Sequence, residues 1–392
     1  MAATLAFSDV QDALRIMYDD SKVDQTIKTH KLLAMVAREE DFHDQFYRLP
    51  VKVSNPLGVA TTLATAQANA TAGVPYAFNL TKVNIYHAPK VAGEVVEAAK
   101  SSGAERFLKD TANIIDGAKA ALMSSMGLNI YRASSGVFSQ VLTGTASPIT
   151  VSYPQDLYEI EVGHIITASP NADMSTPRAG TGVVTAVDKD AGTLTCTGTI
   201  TLLGVGDFLA ISGLTAVASG LLSWSPPTPP TATPFFGVNR TVSPYLAGRR
   251  VNASQMAPEE VWARVNAEIQ GMEVVPDAFF LNPTDHALFE VGVSGQKSIV
   301  NSRKYDFGFE SLQAYGRDLI ADPDCPRGYA FGVPLDWYKA YTLGPAPKVL
   351  DSDGNILLRI SNADDYEARL GCRFQYGTKA PYGLVTVVLP TT

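Results

Sequence analysis

The sequence is poor in cysteine. Only three cysteines occur among its 392 residues, Cys196, Cys325 and Cys372, and they lie far apart. An odd number of widely spaced thiols argues against both a disulfide framework and a zinc site made of paired thiolates. We therefore expect all three thiols to be small buried apolar groups of a protein in a reducing compartment.

Charged residues are also scarce. They make up 18% of the chain, whereas an average globular protein has about 25%. The 39 acidic and 31 basic residues give a net charge of −8, and no run of lysine and arginine stands out. Sequence-specific DNA binding is therefore not expected. Because the chain is 46% hydrophobic, the deficit of charge indicates surface that is buried between subunits.

The chain has no long apolar run. No stretch of about 18 apolar residues occurs, and such a stretch is needed to span a membrane. The N-terminus lacks a basic region followed by an apolar one, so we expect no secretory signal. We predict no membrane partner.

The local motifs of common enzymes are missing too. There is no Gly-x-Ser-x-Gly elbow, His-Glu-x-x-His pair, Walker loop or dinucleotide fingerprint. The acidic pairs Glu159 with Glu161 and Asp322 with Asp324 are predicted to be solvated residues near turns. We predict no catalytic, cofactor-binding or metal-binding residue and no cofactor. The histidines share no metal-ligand spacing and are predicted to be surface or packing residues: His30, His43, His87, His164 and His286.

The clearest positive signal is a long helix over 102–127. Ser102 and Glu105 form a capping box at its start, and Gly127 is predicted to end it. About 24 residues would span roughly 36 Å. The apolar side chains that recur at helical spacing form one face: Leu108, Ala112, Ile115, Ala118, Leu122 and Met126.

Two shorter helices are predicted near the N-terminus, over 8–18 and about 24–39. A segment with so little apolar surface cannot form its own core, because isolated helices are marginal in water. We therefore expect this arm to lie on another surface, for example that of a second subunit.

Residues 51–86 predict a long β-hairpin, with Val51 and Val53 on one strand and Val83 and Ile85 on the other. Alanine occupies every second position in its middle. One face of such a ribbon carries only methyl groups, so it can lie flat on a neighbour. We predict an assembly interface here; the alternative is a flexible low-complexity loop. The alanines in question are Ala64, Ala66, Ala68, Ala70 and Ala72.

Short strands at regular spacing over 146–222 predict a small inserted β-barrel. Residues 188–192, Asp-Lys-Asp-Ala-Gly, are predicted to turn between two strands rich in β-branched residues. A proline-rich segment over 226–234 follows and is predicted to be a stiff spacer. The last third alternates helices and strands, so the chain as a whole is predicted to be α+β.

The order of these parts resembles that of the major capsid proteins of tailed bacteriophages, a fold that also builds encapsulin shells. Three short phrases look like members of that family, at 236–241, 326–331 and 366–369. The inserted barrel is similar to one that some members carry and encapsulins lack, which favours a viral shell.

The resemblance implies a division of the chain. It implies an N-terminal arm at 1–50, an E-loop β-ribbon at 51–91 and a peripheral domain with a long spine helix at 92–145. It further implies the inserted β-barrel at 146–222, an axial domain with connecting segments at 223–365, and C-terminal strands at 366–392 that return to the peripheral domain.

The resemblance also implies a function. The expected protein is a structural, non-enzymatic chain that assembles as hexamers and pentamers into the icosahedral head of a tailed phage. Its expected partners are further copies of itself, a portal, a separate scaffolding protein and a decoration protein. It would enclose double-stranded DNA without reading its sequence, as part of a virion assembled in the bacterial cytoplasm. The alternatives are an encapsulin-like compartment and a soluble β-rich enzyme.

One residue is singled out by the resemblance alone. Some family members crosslink a lysine of the ribbon to an asparagine of a neighbour. Lys82 lies at the base of the predicted ribbon and is the candidate donor. The alternative is an ordinary solvated lysine.

Overall fold

The computed structural model describes residues 30–42, 45–93, 104–144, 147–293, 301–304, 310–351, 355–361 and 363–390. The predicted helix over 8–18, the first six residues of the predicted helix over 24–39 and the capping residue Ser102 lie outside these ranges. The fold is mixed α+β, with more strands than helices, as predicted. Among the described helices, none combines the length and the apolar character that crossing a membrane requires.

The described α-helices are numbered in chain order: α1 Lys31–Met35, α2 Leu63–Ala68, α3 Ala104–Tyr131, α4 Leu221–Trp224, α5 Pro258–Ile269 and α6 Pro283–Val293.

Helix α3 is the longest of these. It has 28 residues, which corresponds to about 42 Å. The prediction that Gly127 ends it is wrong, because the helix continues one more turn to Tyr131. The predicted apolar face is confirmed where its side chains are described: Ala112, Ile115, Ala118, Leu122 and Met126 are buried.

The segment before α3 departs from the predicted helix over 24–39. Helix α1 ends at Met35, and the chain then forms strand β1, Arg38–Glu39. Strand β1 pairs in parallel with β18, Tyr338–Thr342. Backbone pairing therefore outweighs local helix propensity over these residues.

A two-stranded ribbon follows. Strands β2 Phe46–Lys52 and β3 Pro75–Thr81 pair antiparallel, with Val51 opposite Tyr76. The predicted return strand at Val83 and Ile85 is wrong. Those residues belong to β4, Val83–His87, which pairs with β22, Leu370–Thr378.

The tip of the ribbon, residues 53–74, does not continue the two strands. The predicted alternation of alanines along a strand is wrong for Ala64, Ala66 and Ala68, which lie in helix α2. Alanine is the best helix former and is depleted in strands. Thr62 caps this helix, because its side chain accepts a hydrogen bond from the backbone N–H of Thr65.

The predicted barrel is present and closed. Its hydrogen-bonded strand order is β10, β7, β6, β11, β8, β9. Strand β6 lies before residue 146, the predicted start of the barrel, and was not predicted as a strand. The strands are β6 Val137–Thr143, β7 Ile149–Val151, β8 Ile165–Ser169, β9 Gly182–Asp188, β10 Thr193–Thr197 and β11 Phe208–Ile211.

The predicted turn at 188–192 joins β9 to β10. The carboxylate of Asp188 accepts hydrogen bonds from the backbone N–H groups of Asp190 and Ala191. Gly192 has φ of +67°, a left-handed conformation that favours glycine.

A seven-stranded sheet occupies much of the last third, in the order β12, β23, β17, β13, β16, β15, β14. The final strand β23 pairs with β12 and β17. The final strand therefore belongs to the seven-stranded sheet, and the return of residues 366–392 to a peripheral domain stays a prediction. The strands are β12 Arg249–Asn252, β13 Ala278–Leu281, β14 Asn301–Lys304, β15 Glu310–Ala314, β16 Arg317–Ala321, β17 Tyr329–Val333 and β23 Val385–Val388.

Two smaller sheets complete the described fold. Strands β1, β4, β18, β19 and β22 form one, and β5, β20 and β21 form the other. The strands not yet given are β5 Lys90–Ala92, β19 Lys348–Val349, β20 Leu357–Arg359 and β21 Asp365–Ala368.

Three groups of buried apolar side chains form the core. The largest surrounds α3 and includes Ile115, Met126 and Trp224. A second lies against the seven-stranded sheet around Trp262, and a third fills the barrel around Phe138. Cys325 and Cys372 are buried free thiols, as predicted, whereas Cys196 is half-buried.

Candidate functional site

Four segments that are distant in sequence bring polar side chains together beside the C-terminal half of α3. They are the residue before α1, helix α3, the segment between β7 and β8, and the loop after β16. We call this cluster the polar joint; its members are His30, Ser124, Glu159, Asp322 and Asp324.

Hydrogen bonds hold the joint together. His30 Nδ1 lies 2.6 Å from Asp324 Oδ2. The backbone N–H of Asp324 donates to Asp322 Oδ1 at 3.1 Å. The other carboxylate oxygen of Asp322 accepts from the Tyr131 hydroxyl at 2.7 Å and from the Leu32 backbone N–H at 3.0 Å. The loop after β16 is therefore tied to both α1 and α3.

The ion pair between His30 and Asp324 lies directly against the backbone of α3 at Gly127. A Cβ atom at that position would be 2.4 Å from His30 Nδ1 and 2.7 Å from Asp324 Oδ2. Both distances are far shorter than atoms tolerate. Only glycine allows this close approach, so Gly127 serves packing inside the helix.

Three titratable groups of the polar joint, His30, Glu159 and Asp324, have pKa values that are shifted in one direction. Burial lowers the pKa of His30, but the hydrogen bond and charge of Asp324, with the charges of Glu159 and Asp322, outweigh it, so that this pKa is raised. Burial raises the pKa of Glu159, and the charge of Asp324 raises it further. Burial likewise raises the pKa of Asp324. The folded chain therefore holds these protons to higher pH than an unfolded chain would.

The joint corrects one prediction. Asp322 and Asp324 were predicted to be solvated, but both are buried. Asp322 accepts a hydrogen bond from the backbone N–H of Asp324, as a short acidic side chain in a turn commonly does. His30 was predicted to be a surface or packing residue; it is buried, and it meets two carboxylates in space. The run Asp-Pro-Asp-Cys-Pro before a buried strand was the only local signal available.

The joint does not have the geometry of a hydrolase triad. The Ser124 hydroxyl donates to Glu159 Oε2, and no hydrogen bond joins Ser124 to His30 among the described residues. A serine nucleophile needs a base that takes its proton. The buried pair of His30 and Asp324 is thus a structural contact and not a catalytic relay.

The ribbon tip, in contrast to the buried polar joint, carries exposed apolar side chains. Leu57 is 67% exposed and Leu63 is 75% exposed, and Val59 is fully exposed. Helix α2 contains no buried residue. A six-residue helix is too short to be stable alone in water, and the described residues do not cover it.

The predicted interface alanines lie on this tip. Ala64, Ala68, Ala70 and Ala72 are exposed, and Ala66 is half-buried. These alanines do not form one flat face. Ala64, Ala66 and Ala68 lie in α2, whereas Ala70 and Ala72 follow it. The predicted interface did not include the larger apolar residues Leu57, Val59 and Leu63. Three isolated branched residues in an Ala- and Thr-rich stretch were a usable signal for it.

Lys82 lies between β3 and β4, at the base of the ribbon. Its ammonium group is 5.9 Å from the centroid of the Phe42 ring, within the range of a cation–π contact. A role as a crosslink donor stays a prediction.

A cavity of about 430 Å³ lies between the barrel and the seven-stranded sheet. Its two arginines already have acidic partners. Arg132 Nη2 is 3.2 Å from Asp156 Oδ1, and Arg327 Nε is 3.4 Å from Asp285 Oδ1. The cavity therefore offers an anion little uncompensated positive charge.

No family model and no curated protein sequence matches the chain. Solved structures match it over nearly its whole length. A chain of the cyanophage A-1(L) capsid is 12% identical, with a TM-score of 0.52, and the match covers 96% of this chain and 98% of that one. The SrpI encapsulin of Synechococcus elongatus PCC 7942 is 10% identical, with a TM-score of 0.48 and coverage of 98% and 96%. A structure from Mycobacterium phage Ogopogo is 8% identical, with a TM-score of 0.44 and coverage of 91% of each chain.

The likeness to the cyanophage chain shows that this protein has the phage capsid fold. The predicted phage capsid fold is thereby confirmed as a whole, whereas the assignments of the E-loop, the spine helix and the domains stay predictions.

Proposed function

We propose that this protein is the major capsid protein of a tailed double-stranded DNA bacteriophage. In this proposal it assembles as hexamers and pentamers into an icosahedral head and catalyses no reaction. The observation that carries the proposal is the ribbon tip. It presents Leu57, Val59 and Leu63 to solvent on a helix that buries nothing, in a chain whose fold matches a capsid chain along its length.

The occupant of the tip is a second copy of this chain. Burial of exposed apolar surface contributes about 25 cal/mol per Å², so a few branched side chains provide a modest contact. A shell repeats each contact around every subunit, and weak contacts that are repeated and closed give a stable particle. The interface we propose comprises Leu57, Val59 and Leu63 together with the exposed alanines.

The parts of the chain then take the roles that the resemblance implied. The ribbon of β2 and β3 is the E-loop, α3 is the spine helix of the peripheral domain, and the seven-stranded sheet belongs to the axial domain. The barrel is the inserted domain, with limits near 137–211 in place of 146–222. A portal, a separate scaffolding protein and a decoration protein remain proposed partners.

The net negative charge of the chain is consistent with a shell that encloses double-stranded DNA. The net charge is −8, and double-stranded DNA is a dense polyanion. A shell whose subunits are net acidic repels packed DNA and does not hold it by sequence. The proposed site of action is the virion, after assembly in the host cytoplasm.

The second candidate function is an encapsulin-like compartment. The closed barrel favours a phage shell, because the resemblance attributes such an insertion to phage members and not to encapsulins. The two differ in content: purified particles that hold an enzyme and no nucleic acid would favour the compartment.

The proposal is tested by replacing residues 54–73 with Asn-Gly. Strands β2 and β3 stay paired up to Lys52 and Pro75, and Asn-Gly favours a two-residue hairpin turn. We expect soluble folded subunits that form no shells, measured by circular dichroism and electron microscopy. Shells of normal size from this variant would contradict the proposed role of the tip.

A further inference from the structure

His30, Glu159 and Asp324 come from three distant segments and converge on one point in the polar joint. One nitrogen and two oxygen ligand atoms from these residues all lie within 4.8 Å of one another. Imidazole nitrogen together with carboxylate oxygen is a common ligand set for Zn²⁺. We propose that these three residues bind one Zn²⁺ ion.

The distances fit an ion of that size. Zn²⁺ binds nitrogen and oxygen at about 2.0–2.2 Å, which places the ligand atoms of a tetrahedral site roughly 3.3 Å apart. His30 Nδ1 and Asp324 Oδ2 are 2.6 Å apart, and the cluster as a whole extends to 4.8 Å. Small side-chain rotations therefore bring the three ligands into place. The ion takes the position of the proton that now joins His30 to Asp324.

The charge at this point also calls for a cation. Glu159, Asp322 and Asp324 bring three carboxylates to one imidazole. No arginine or lysine forms an ion pair with Glu159 or Asp324 within the described part of the chain. Buried carboxylates are stable only when they are paired, protonated or bound to a metal. A divalent cation balances the charge that His30 alone does not.

The surroundings of the three residues hold them as a metal site requires. Metal ligands are oriented by hydrogen bonds from a second layer of residues. The Ser124 hydroxyl donates to Glu159, and the N–H of Asp324 donates to Asp322. Gly127 allows His30 and Asp324 to lie against the helix backbone, because a Cβ there would overlap both ligand atoms.

The site also has an entrance. Glu159 is half-buried, whereas His30 and Asp324 are buried. An ion can therefore reach the cluster past the Glu159 side chain, and a water molecule can complete four-fold coordination. Once bound, the ion joins the segment before α1, the segment before β8 and the loop after β16. This proposal is independent of shell formation.

The test is Zn²⁺ titration of the full-length chain after removal of metals with EDTA, followed by isothermal calorimetry and thermal unfolding. We expect one ion per chain and a higher melting temperature. Glu159→Gln should weaken Zn²⁺ binding at least tenfold, and its half-buried position makes it the variant that best preserves the fold. His30→Ala should abolish binding. Co²⁺ in place of Zn²⁺ should give the visible absorption of a tetrahedral site.

Two matched variants serve as controls. Glu161→Gln removes an exposed carboxylate two residues from Glu159, and His87→Ala removes an exposed imidazole on β4. Both should bind Zn²⁺ as the unchanged protein does. The proposal is overturned if the unchanged protein shows no saturable binding. It is equally overturned if Glu159→Gln binds as tightly as the unchanged protein, or if Ca²⁺ binds more tightly than Zn²⁺.

Discussion

Apolar side chains are usually buried and charged side chains usually exposed. The ribbon tip departs from the first half of this rule and the polar joint from the second. At the tip, Leu57, Val59 and Leu63 are apolar and exposed; at the joint, Asp322 and Asp324 are charged and buried. The joint hydrogen-bonds its polar groups within the chain, through His30, Tyr131 and the backbone. The described residues leave the apolar side chains of the tip uncovered. The joint is thus assembled from distant segments of one chain and is proposed to take up a cation, whereas the tip is proposed to need a neighbour.

The largest expected effect is on assembly. The double change Val59→Asp with Leu63→Asp places two charges on the proposed interface. We expect shells to disappear while the free energy of unfolding of the subunit changes by no more than about 0.5 kcal/mol, since both sites are exposed. Electron microscopy and urea unfolding measure the two quantities.

Leu202→Asp is the matched control for the tip. Leu202 is 79% exposed on the barrel, and the change introduces the same charge. Shells should form normally. Loss of shells in this control as well would show that the tip has no special role.

The next effect tests helix α3, which carries the joint. Ile115→Pro removes a backbone hydrogen bond and clashes with the preceding turn, at a cost of about 3 kcal/mol or more. Ile115 is fully buried, so we expect no folded subunit by circular dichroism. The matched change Ile115→Val should cost only about 0.5–1.5 kcal/mol. A folded Ile115→Pro chain would contradict the central position of α3.

Two glycines of α3 give a sharper comparison. Gly127→Ala places a Cβ on His30 and Asp324 and should destabilise the chain by about 1–3 kcal/mol through overpacking. Gly117 has nothing within 4 Å of its would-be Cβ, so Gly117→Ala should stabilise by about 0.5–1 kcal/mol through helix propensity. Urea unfolding should give opposite signs. Equal signs would mean that the joint tolerates a methyl group.

The smallest effect is on pH dependence, measured in EDTA. The pKa values of Glu159, Asp324 and His30 are all raised in the folded chain. The folded state therefore binds more protons than the unfolded state, and this contribution to stability is lost as pH rises. Between pH 5 and pH 8, the unchanged protein should lose stability relative to Glu159→Gln. A constant difference between the two would contradict the raised pKa of Glu159.

The two regions also differ in how far the sequence could predict them. The barrel was predictable, because alternating β-branched residues and the turn at Asp188 are local signals. The apolar face of α3 was predictable for the same reason. Ala64, Ala66 and Ala68 were misassigned, since their period-two spacing imitates a strand whereas alanine itself favours a helix.

The polar joint could not be predicted from local sequence patterns. His30 and Asp324 are separated by 294 positions, and neither residue carries a spacing that predicts the other. Gly127 led to a wrong prediction of the helix end, because a glycine late in a helix is more often a C-terminal cap than a point of close packing. Only the folded chain brings His30, Gly127 and Asp324 together.

The ribbon tip is proposed to be completed by a second copy of this chain. Electron cryomicroscopy of the purified full-length protein would show what covers it. We expect closed polyhedral particles in which Leu57, Val59 and Leu63 of each subunit are buried against an adjoining subunit. Discrete monomers, or particles in which the tip faces solvent, would contradict it.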